Sequence, residues 1–154
     1  MQRFNVLTGE LAVHQDRCGY AWRGQRGAAR DGGLRWLGAS VYELPADQWT
    51  FPYHYHHGVE EWLYVVAGSP TPRDPDGERP LGPGDLVCFP SGPDGAHAVR
   101  GPGRLVMFSG VPAAGVASIS VYPDSDKLGV RPPGDGPDRL DFRRSDAVDY
   151  WAGE

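Results

Sequence analysis

The stretch FPYHYHHGVEEWLYVVAG, residues Phe51 to Gly68, holds three of the chain's 5 histidines. A pair of glutamates follows them, and then a run of strand-forming residues. Side chains on a β-strand alternate between its two faces, so His54 and His56 share a face. Two imidazoles on one strand face, joined by a carboxylate from the next strand, are suitable donors for a transition metal. The alternative is a polar turn that happens to be rich in histidine.

A fourth donor has to come from a distant part of the sequence. Outside this stretch only His14 and His97 remain. His97 follows the segment GDLVCFPSGPDGA and opens a predicted strand, so it is the natural choice. We interpret His14 and His57 as ordinary surface or core histidines.

Around this stretch, short runs rich in β-branched and aromatic residues alternate with turn residues. The chain has 154 residues, of which 22 are glycine and 15 are proline, and both types disfavour helix interiors. Runs such as LRWLGASVYEL (Leu34 to Leu44) predict about seven short strands, a number typical of an all-β sandwich or barrel. The tetrapeptide DPDG, Asp74 to Gly77, predicts a hairpin turn. The one predicted helix is the short segment SDAVDYW, with Ser145 as its N-cap.

Composition narrows the classes of partner. The net charge is −5 and the basic residues form no stripe, so we expect neither nucleic acid nor a membrane surface to bind. No segment approaches the ~20 apolar residues of a spanning helix, and the first residues lack a secretory signal, so we expect a cytoplasmic protein. Cys18 and Cys88 are too few for a disulfide framework, and Cys88 is predicted to be a small core residue.

Two motifs in the chain resemble those of the cupin superfamily, a group of jelly-roll β-barrels. The first cupin motif contains His-x-His, a glutamate and a closing glycine, and the second contains Gly, Pro-x-Gly and a histidine. The residues that match the first motif are His54, His56, Glu61 and Gly68. The residues that match the second motif are Gly84, Pro90, Gly92 and His97. The resemblance covers about residues 35 to 110, and the chain as a whole looks like a group of small bacterial single-cupin proteins.

Two positions and one spacing depart from these motifs. Gln48 stands where the first motif opens with glycine, and Gly101 stands where the second motif ends with asparagine. The four residues PDGA separate Gly92 from His97, where the motif has two.

The resemblance implies an all-β fold of the double-stranded β-helix or jelly-roll type. It predicts one cupin domain over residues 1–154, with a barrel core at about 35–122 and with an N-terminal arm and a C-terminal tail that pack outside. Spacing to Gly68 selects Glu61 rather than Glu60 as the carboxylate ligand. The predicted inward residues are Leu63, Val65, Val87, Phe89 and Met107.

The implied metal site consists of His54, His56, Glu61 and His97, and it suits one divalent ion of Mn, Fe, Co, Ni, Cu or Zn. An octahedral ion with four protein ligands keeps two positions for a substrate or dioxygen. We therefore expect a metal-dependent enzyme of the dioxygenase or isomerase type that acts on a small organic substrate. A non-catalytic small-molecule binding or sensing barrel is the alternative. A homodimer is expected, supported by the aromatic residues Tyr150 and Trp151 near the C-terminus.

Overall fold

The computed structural model describes residues 3–25, 37–110, 116–133 and 139–154. Regular structure within these ranges consists of β-strands and a few single turns of 3₁₀-helix. The strands are β1 (Val13–Arg17), β2 (Tyr20–Gln25), β3 (Leu37–Leu44), β4 (Tyr55–His57), β5 (Glu61–Gly68), β6 (Thr71–Asp74), β7 (Gly77–Glu78), β8 (Leu86–Phe89), β9 (Ala98–Arg100), β10 (Gly103–Gly110), β11 (Ser118–Tyr122), β12 (Lys127–Arg131) and β13 (Leu140–Arg143). No helix in the described ranges is long and apolar enough to cross a membrane.

The larger layer is an antiparallel sheet of six strands in the order β1-β2-β3-β10-β5-β8. Its strand β5 shows the two-residue period of a half-covered sheet. Leu63 and Val65 are 0% exposed, whereas Trp62 and Tyr64 are 41% and 39% exposed. Leu63 and Val65 are therefore inward residues as predicted, and Glu61 lies in phase with them.

The second layer consists of two smaller sheets, β13-β12-β11-β4 and β7-β6-β9. An antiparallel bridge between His54 and His97 connects them. Two antiparallel layers around one core are the jelly-roll arrangement, so the predicted all-β fold is confirmed. Two of the predicted metal donors thus lie at the seam of this layer.

The core fills the space between the layers. Trp22, Tyr42 and Phe51 pack edge to face, with ring centroids 5.1 to 5.7 Å apart. Each large apolar side chain buried here contributes about 1.5–3 kcal/mol to stability. The predicted inward residues Leu63, Val65, Phe89 and Met107 belong to this cluster, and Val87 packs against it.

The segment before residue 26 is a structural part of the barrel wall. The sequence predicts an arm outside the barrel here, but the hairpin of β1 and β2 extends the six-stranded sheet through pairing with β3. Trp22 of β2 is 3% exposed and lies in the core. The start of the predicted strand at Leu34 lies outside the described residues, and β3 begins at Leu37.

Two predictions for individual segments are wrong. The segment around Ser145 forms a single 3₁₀ turn, Arg144–Asp146, without a side-chain cap, and turns follow it. Val148, Tyr150 and Trp151 are exposed, so no buried apolar face supports a helix there. Cys88 is exposed and not in the core, because it alternates with the inward residues Val87 and Phe89 on β8.

The predicted DPDG hairpin is confirmed. Strands β6 and β7 pair Arg73 with Glu78 and Asp74 with Gly77. Gly77 has a φ of 120°, which an L side chain rarely adopts. The carboxylate of Asp74 accepts a hydrogen bond from the N–H of Asp76 at 2.9 Å and closes the turn.

Candidate metal centre

His54 and His97 face each other across the seam of the second layer. Their backbones exchange two hydrogen bonds of 3.0 and 2.8 Å. His54 Nδ1 lies 2.8 Å from the carbonyl oxygen of Pro52, and His97 Nδ1 lies 2.9 Å from that of Gly95. A carbonyl oxygen only accepts, so in each neutral ring Nδ1 carries the proton and Nε2 holds a free lone pair. This is the tautomer that a metal ligand requires.

His56 is held from the neighbouring strand. It pairs with Ser120 in the register of β4 and β11, and Ser120 Oγ lies 3.1 Å from His56 Nδ1. Ser120 is buried, so a solvent molecule does not easily take the place of its hydroxyl beside His56. The sequence motifs do not include Ser120, which holds the His56 ring from behind. Its signal was the alternation in ASISVYP, which places Ser120 and Tyr122 on one strand face.

Glu61 opens β5 and reaches the histidines from the opposite layer. Its Oε2 lies 3.3 Å from His56 Nε2 and 3.4 Å from His97 Nε2. Glu61 Oε2 and His97 Nε2 are buried and make no hydrogen bond with the described residues. Buried polar atoms of native proteins normally have partners, so this unsatisfied pair indicates a site for an ion or ligand. The neighbouring Glu60 is exposed, as predicted.

One donor atom each from His54, His56 and Glu61 lies within 4.8 Å of the others. His97 joins this group through its contact with Glu61. The structure thus brings together all four residues that the sequence singled out. His14 and His57 are exposed elsewhere.

The lengthened loop before His97 does not displace the residue. Pro93–Gly95 form a single 3₁₀ turn that takes up the extra length, and Gly92 has a φ of 96°. Gly95 leaves no room for a side chain, because a Cβ there would lie 1.7 Å from the carbonyl oxygen of Pro90. The packed turn therefore fixes the start of the pairing that holds His97.

Aromatic rings flank two of the histidines. Phe89 stacks on His97 with centroids 3.8 Å apart and planes 10° apart. Tyr122 stacks on His54 at 5.6 Å and 19°. The rings limit rotation of the imidazoles and cover them from solvent.

Burial governs the charge of the centre. The pKa of His54 is lowered to about 3, mainly by burial and in addition by the neighbouring His97 and His56. Burial also lowers the pKa of His97. Burial by itself raises the pKa of Glu61, but the interactions with His56 and the other histidines outweigh it, so the pKa lies below its usual value. At neutral pH the centre therefore combines neutral rings at His54 and His97 with a carboxylate at Glu61.

Comparison with known proteins gives a family match. The family model of the cupin domain matches residues 40–110, which contain the four donors and both sequence motifs. This part of the chain is therefore similar to the cupin superfamily. No curated protein matches this chain significantly.

Solved structures share the cupin fold. A candidate sugar phosphate isomerase from Acidithiobacillus ferrooxidans has a TM-score of 0.74 and 22% identity, with 88% of this chain and 86% of that chain covered. A cupin-superfamily sugar phosphate isomerase from Silicibacter pomeroyi has a TM-score of 0.76 and 19% identity, with 94% of each chain covered. At such identities the likeness shows the fold and not the reaction.

The residues of this chain fit a bound divalent ion. Neutral imidazole nitrogens and one carboxylate oxygen are the donors that first-row transition metals prefer. The hydrogen bonds to His54, His56 and His97 orient the rings as in known metal sites. An ion would also satisfy the unpaired atoms of Glu61 and His97.

Proposed function

We propose that this protein is a divalent-metal-dependent enzyme that acts on a small organic substrate at the barrel centre. The observation that carries the proposal is the convergence of Glu61 Oε2 and His97 Nε2, both buried and unpaired, beside His54 and His56. A carboxylate in such surroundings is costly unless a positive charge compensates it. His54, His56, His97 and Glu61 would hold the ion.

The ion, when bound, supplies a Lewis acid that polarises an oxygen of the substrate. The protein supplies orientation and a dry environment. Carbonyl groups and Ser120 hold the imidazoles, and Phe89 and Leu63 exclude water from one side. The Glu61 carboxylate would also be a base within this centre.

Two reaction classes fit this centre, isomerisation and dioxygenation. The fold neighbours named as sugar phosphate isomerases favour the first only through the shared fold. Dioxygen uptake with enediols, flavonols and β-diketones separates the classes, because isomerisation consumes no oxygen. A non-catalytic binding or sensing barrel is the second candidate, favoured by the apolar side chains Leu63, Phe89 and Met107, which offer no acid or base.

Metal analysis tests the proposal. Protein purified without added metal should contain close to one divalent ion per chain, measured by elemental analysis. His54→Ala or His97→Ala should abolish stoichiometric metal and keep the β-rich circular dichroism spectrum, since the core does not depend on the ion. His57→Ala, at an exposed position, is the matched control. Full metal content in both donor variants would contradict the proposal.

We also propose that this protein forms a homodimer through residues 139–154. A groove of about 730 Å³ lies along this segment, lined by Leu128, Phe142 and Val148 among others. Arg143 and Arg144 also line it, and Asp126 and Asp146 balance their charge. The apolar side chains of the groove would receive the exposed pair Tyr150 and Trp151 of the other copy. That the protein works in the cytoplasm, away from nucleic acid and membranes, stays a prediction.

A further inference from the structure

The face of the sheet that carries His56 continues away from the metal centre across three more strands. Directly opposite residues of an antiparallel pair place their side chains on the same face. His56 lies opposite Ser120, Ser120 lies opposite Gly129, and Gly129 lies opposite Asp141. In the adjacent row Tyr122 lies opposite Lys127. Lys127 and Tyr122 therefore share the face of the metal donors.

Basic side chains gather around Tyr122 on this face. Lys127 Nζ lies 5.3 Å from the centroid of the Tyr122 ring, and Arg139 Cζ lies 5.5 Å from it. The guanidinium of Arg139 also donates a hydrogen bond to the Tyr122 hydroxyl. Tyr122 in turn stacks on His54. We name Tyr122, Lys127 and Arg139 the basic platform.

The strand beneath the platform leaves room for the guanidinium. A Cβ at Gly129 would lie 2.6 Å from Arg139 Nη2 and 2.7 Å from Asp141 Oδ1. Glycine at this position therefore lets the pair of Arg139 and Asp141 lie against the sheet. Gly129 is the buried residue of β12.

Charge on the platform is incompletely balanced. Asp141 accepts three hydrogen bonds from Nε and Nη2 of Arg139, at 2.8 to 3.1 Å, and neutralises it. Lys127 has no carboxylate within ion-pair distance among the described residues, and its contact there is the ring of Tyr122. One uncompensated positive charge therefore lies beside the metal centre. Lys127 is the only lysine in a chain with a net charge of −5.

We infer that the basic platform is an anion subsite and that the substrate of the metal centre carries a phosphate group which Lys127 binds. This inference rests on the proposed function. Neighbouring strands lie about 4.8 Å apart and residues two apart on a strand about 6.8 Å, so Lys127 on β12 stands about 12 Å from His56 on β4. A phosphorylated sugar of about five carbons spans that distance, with its oxygen-bearing end at the metal donors and its phosphate at the platform.

The strands of His56 and Glu61, β4 and β5, contain no Arg or Lys. The topology supplies the charge from β12 and from the residue before β13. Asp141 contributes as well, since it holds the guanidinium in place and leaves Lys127 as the free cation.

Calorimetric titration tests the inference with D-ribose 5-phosphate, inorganic phosphate and D-ribose as probes. D-ribose 5-phosphate should bind to the metal-free and the metal-loaded protein, and D-ribose should bind at least tenfold more weakly. Lys127→Met should lower the affinity for D-ribose 5-phosphate about 10- to 100-fold, as loss of a charged hydrogen bond predicts. Lys127→Arg should restore most of it. Arg79→Gln is the matched control, because it removes an exposed guanidinium next to β7, away from the basic platform.

The single lysine gives a second readout. Reductive ¹³C-methylation labels Lys127 as the one side-chain amine of the chain. D-ribose 5-phosphate should shift its methyl resonance at the concentrations that saturate the calorimetric curve, and D-ribose should not. An unmoved resonance, or equal binding by the wild type and Lys127→Met, would overturn the inference. Metal content measured in the same variants separates the two proposals, since loss of the anion subsite leaves the four metal donors intact.

Discussion

His54 is 8% exposed, and its burial makes it a source of acid sensitivity. Its pKa is about 3 in the folded chain, against about 6.5 in the unfolded chain. Between these values the unfolded state binds the proton and the folded state does not, so acid favours unfolding. The stability of the metal-free protein should be fully present above pH 6.5. It should then fall by about 1.4 kcal/mol per pH unit from His54 alone as the pH drops.

Urea unfolding of the metal-free protein between pH 8 and pH 5 measures this effect. The lowered pKa of His97 acts in the same direction over this range, whereas that of Glu61 acts only below its ordinary value of 4.5. His54→Gln should reduce the slope, whereas His57→Gln at an exposed position should leave it unchanged. Stability that is constant from pH 8 to pH 5 would show that His54 is not held neutral by burial.

The two adjacent glutamates provide the sharpest test of the ligand register. Glu61→Gln should lower metal affinity by at least tenfold, because a neutral amide replaces an anionic donor. Glu60→Gln should leave it nearly unchanged, since Glu60 is exposed and its phase is that of the outward residues Trp62 and Tyr64. Metal content after dialysis at fixed free metal measures both. The reverse result would show that β5 pairs in another register, and equal retention would indicate a site of three histidines.

At the scale of the element, Gly68 decides how β5 ends. Its φ is 88°, and a Cβ there would lie 2.7 Å from Gly103 Cα on the neighbouring strand β10. Gly68→Ala should therefore destabilise the protein by more than about 2 kcal/mol, through backbone strain and the clash together. Gly84 has a φ of 96° with open space around it, so Gly84→Ala should cost only about 1 kcal/mol. Urea unfolding compares the two, and equal losses would show that the contact with β10 is unimportant.

Strand β8 and the segment after β13 show why the local sequence misled at two places. In DLVCFP every residue from Leu86 to Phe89 is compatible with burial, and only the pairing of β8 with β5 assigns Cys88 to the outer face. SDAVDYW has the capping residue and the spacing of a short helix. A helix of that length needs a packed face, and the described residues leave Val148 and Trp151 exposed.

At the scale of the whole molecule, the exposed aromatic pair near the C-terminus predicts a homodimer. Tyr150 and Trp151 are 84% and 71% exposed, with rings 4.8 Å apart. Light scattering after size exclusion should give the mass of a dimer, and Trp151→Ala should shift it toward the 16.8 kDa chain. Trp62→Ala, which removes an exposed tryptophan from the other layer, should leave the dimer intact. Dissociation by Trp62→Ala alone would place the interface on the six-stranded sheet.

Sequence by itself determined the all-β class and the hairpin at Asp74–Gly77, and it singled out four candidate donors. These are local properties: alternation along a strand places His54 and His56 on one face, and glycine and aspartate define the turn. The two motifs added Glu61 and His97 through their spacing. That these residues bind a metal remains a proposal.

Tertiary structure alone decided which neighbours complete the centre. Ser120 and Tyr122 lie more than sixty residues after His56, and only the pairing of β11 with β4 brings them to it. The pairing of β11 with β12 then places Lys127 beside Tyr122, next to the centre. Sequence patterns report periodicity within a strand, whereas the partner of a strand is fixed by how the whole chain buries its apolar faces. The candidate donors could therefore be predicted from the sequence. Their orientation and the charge around them could not.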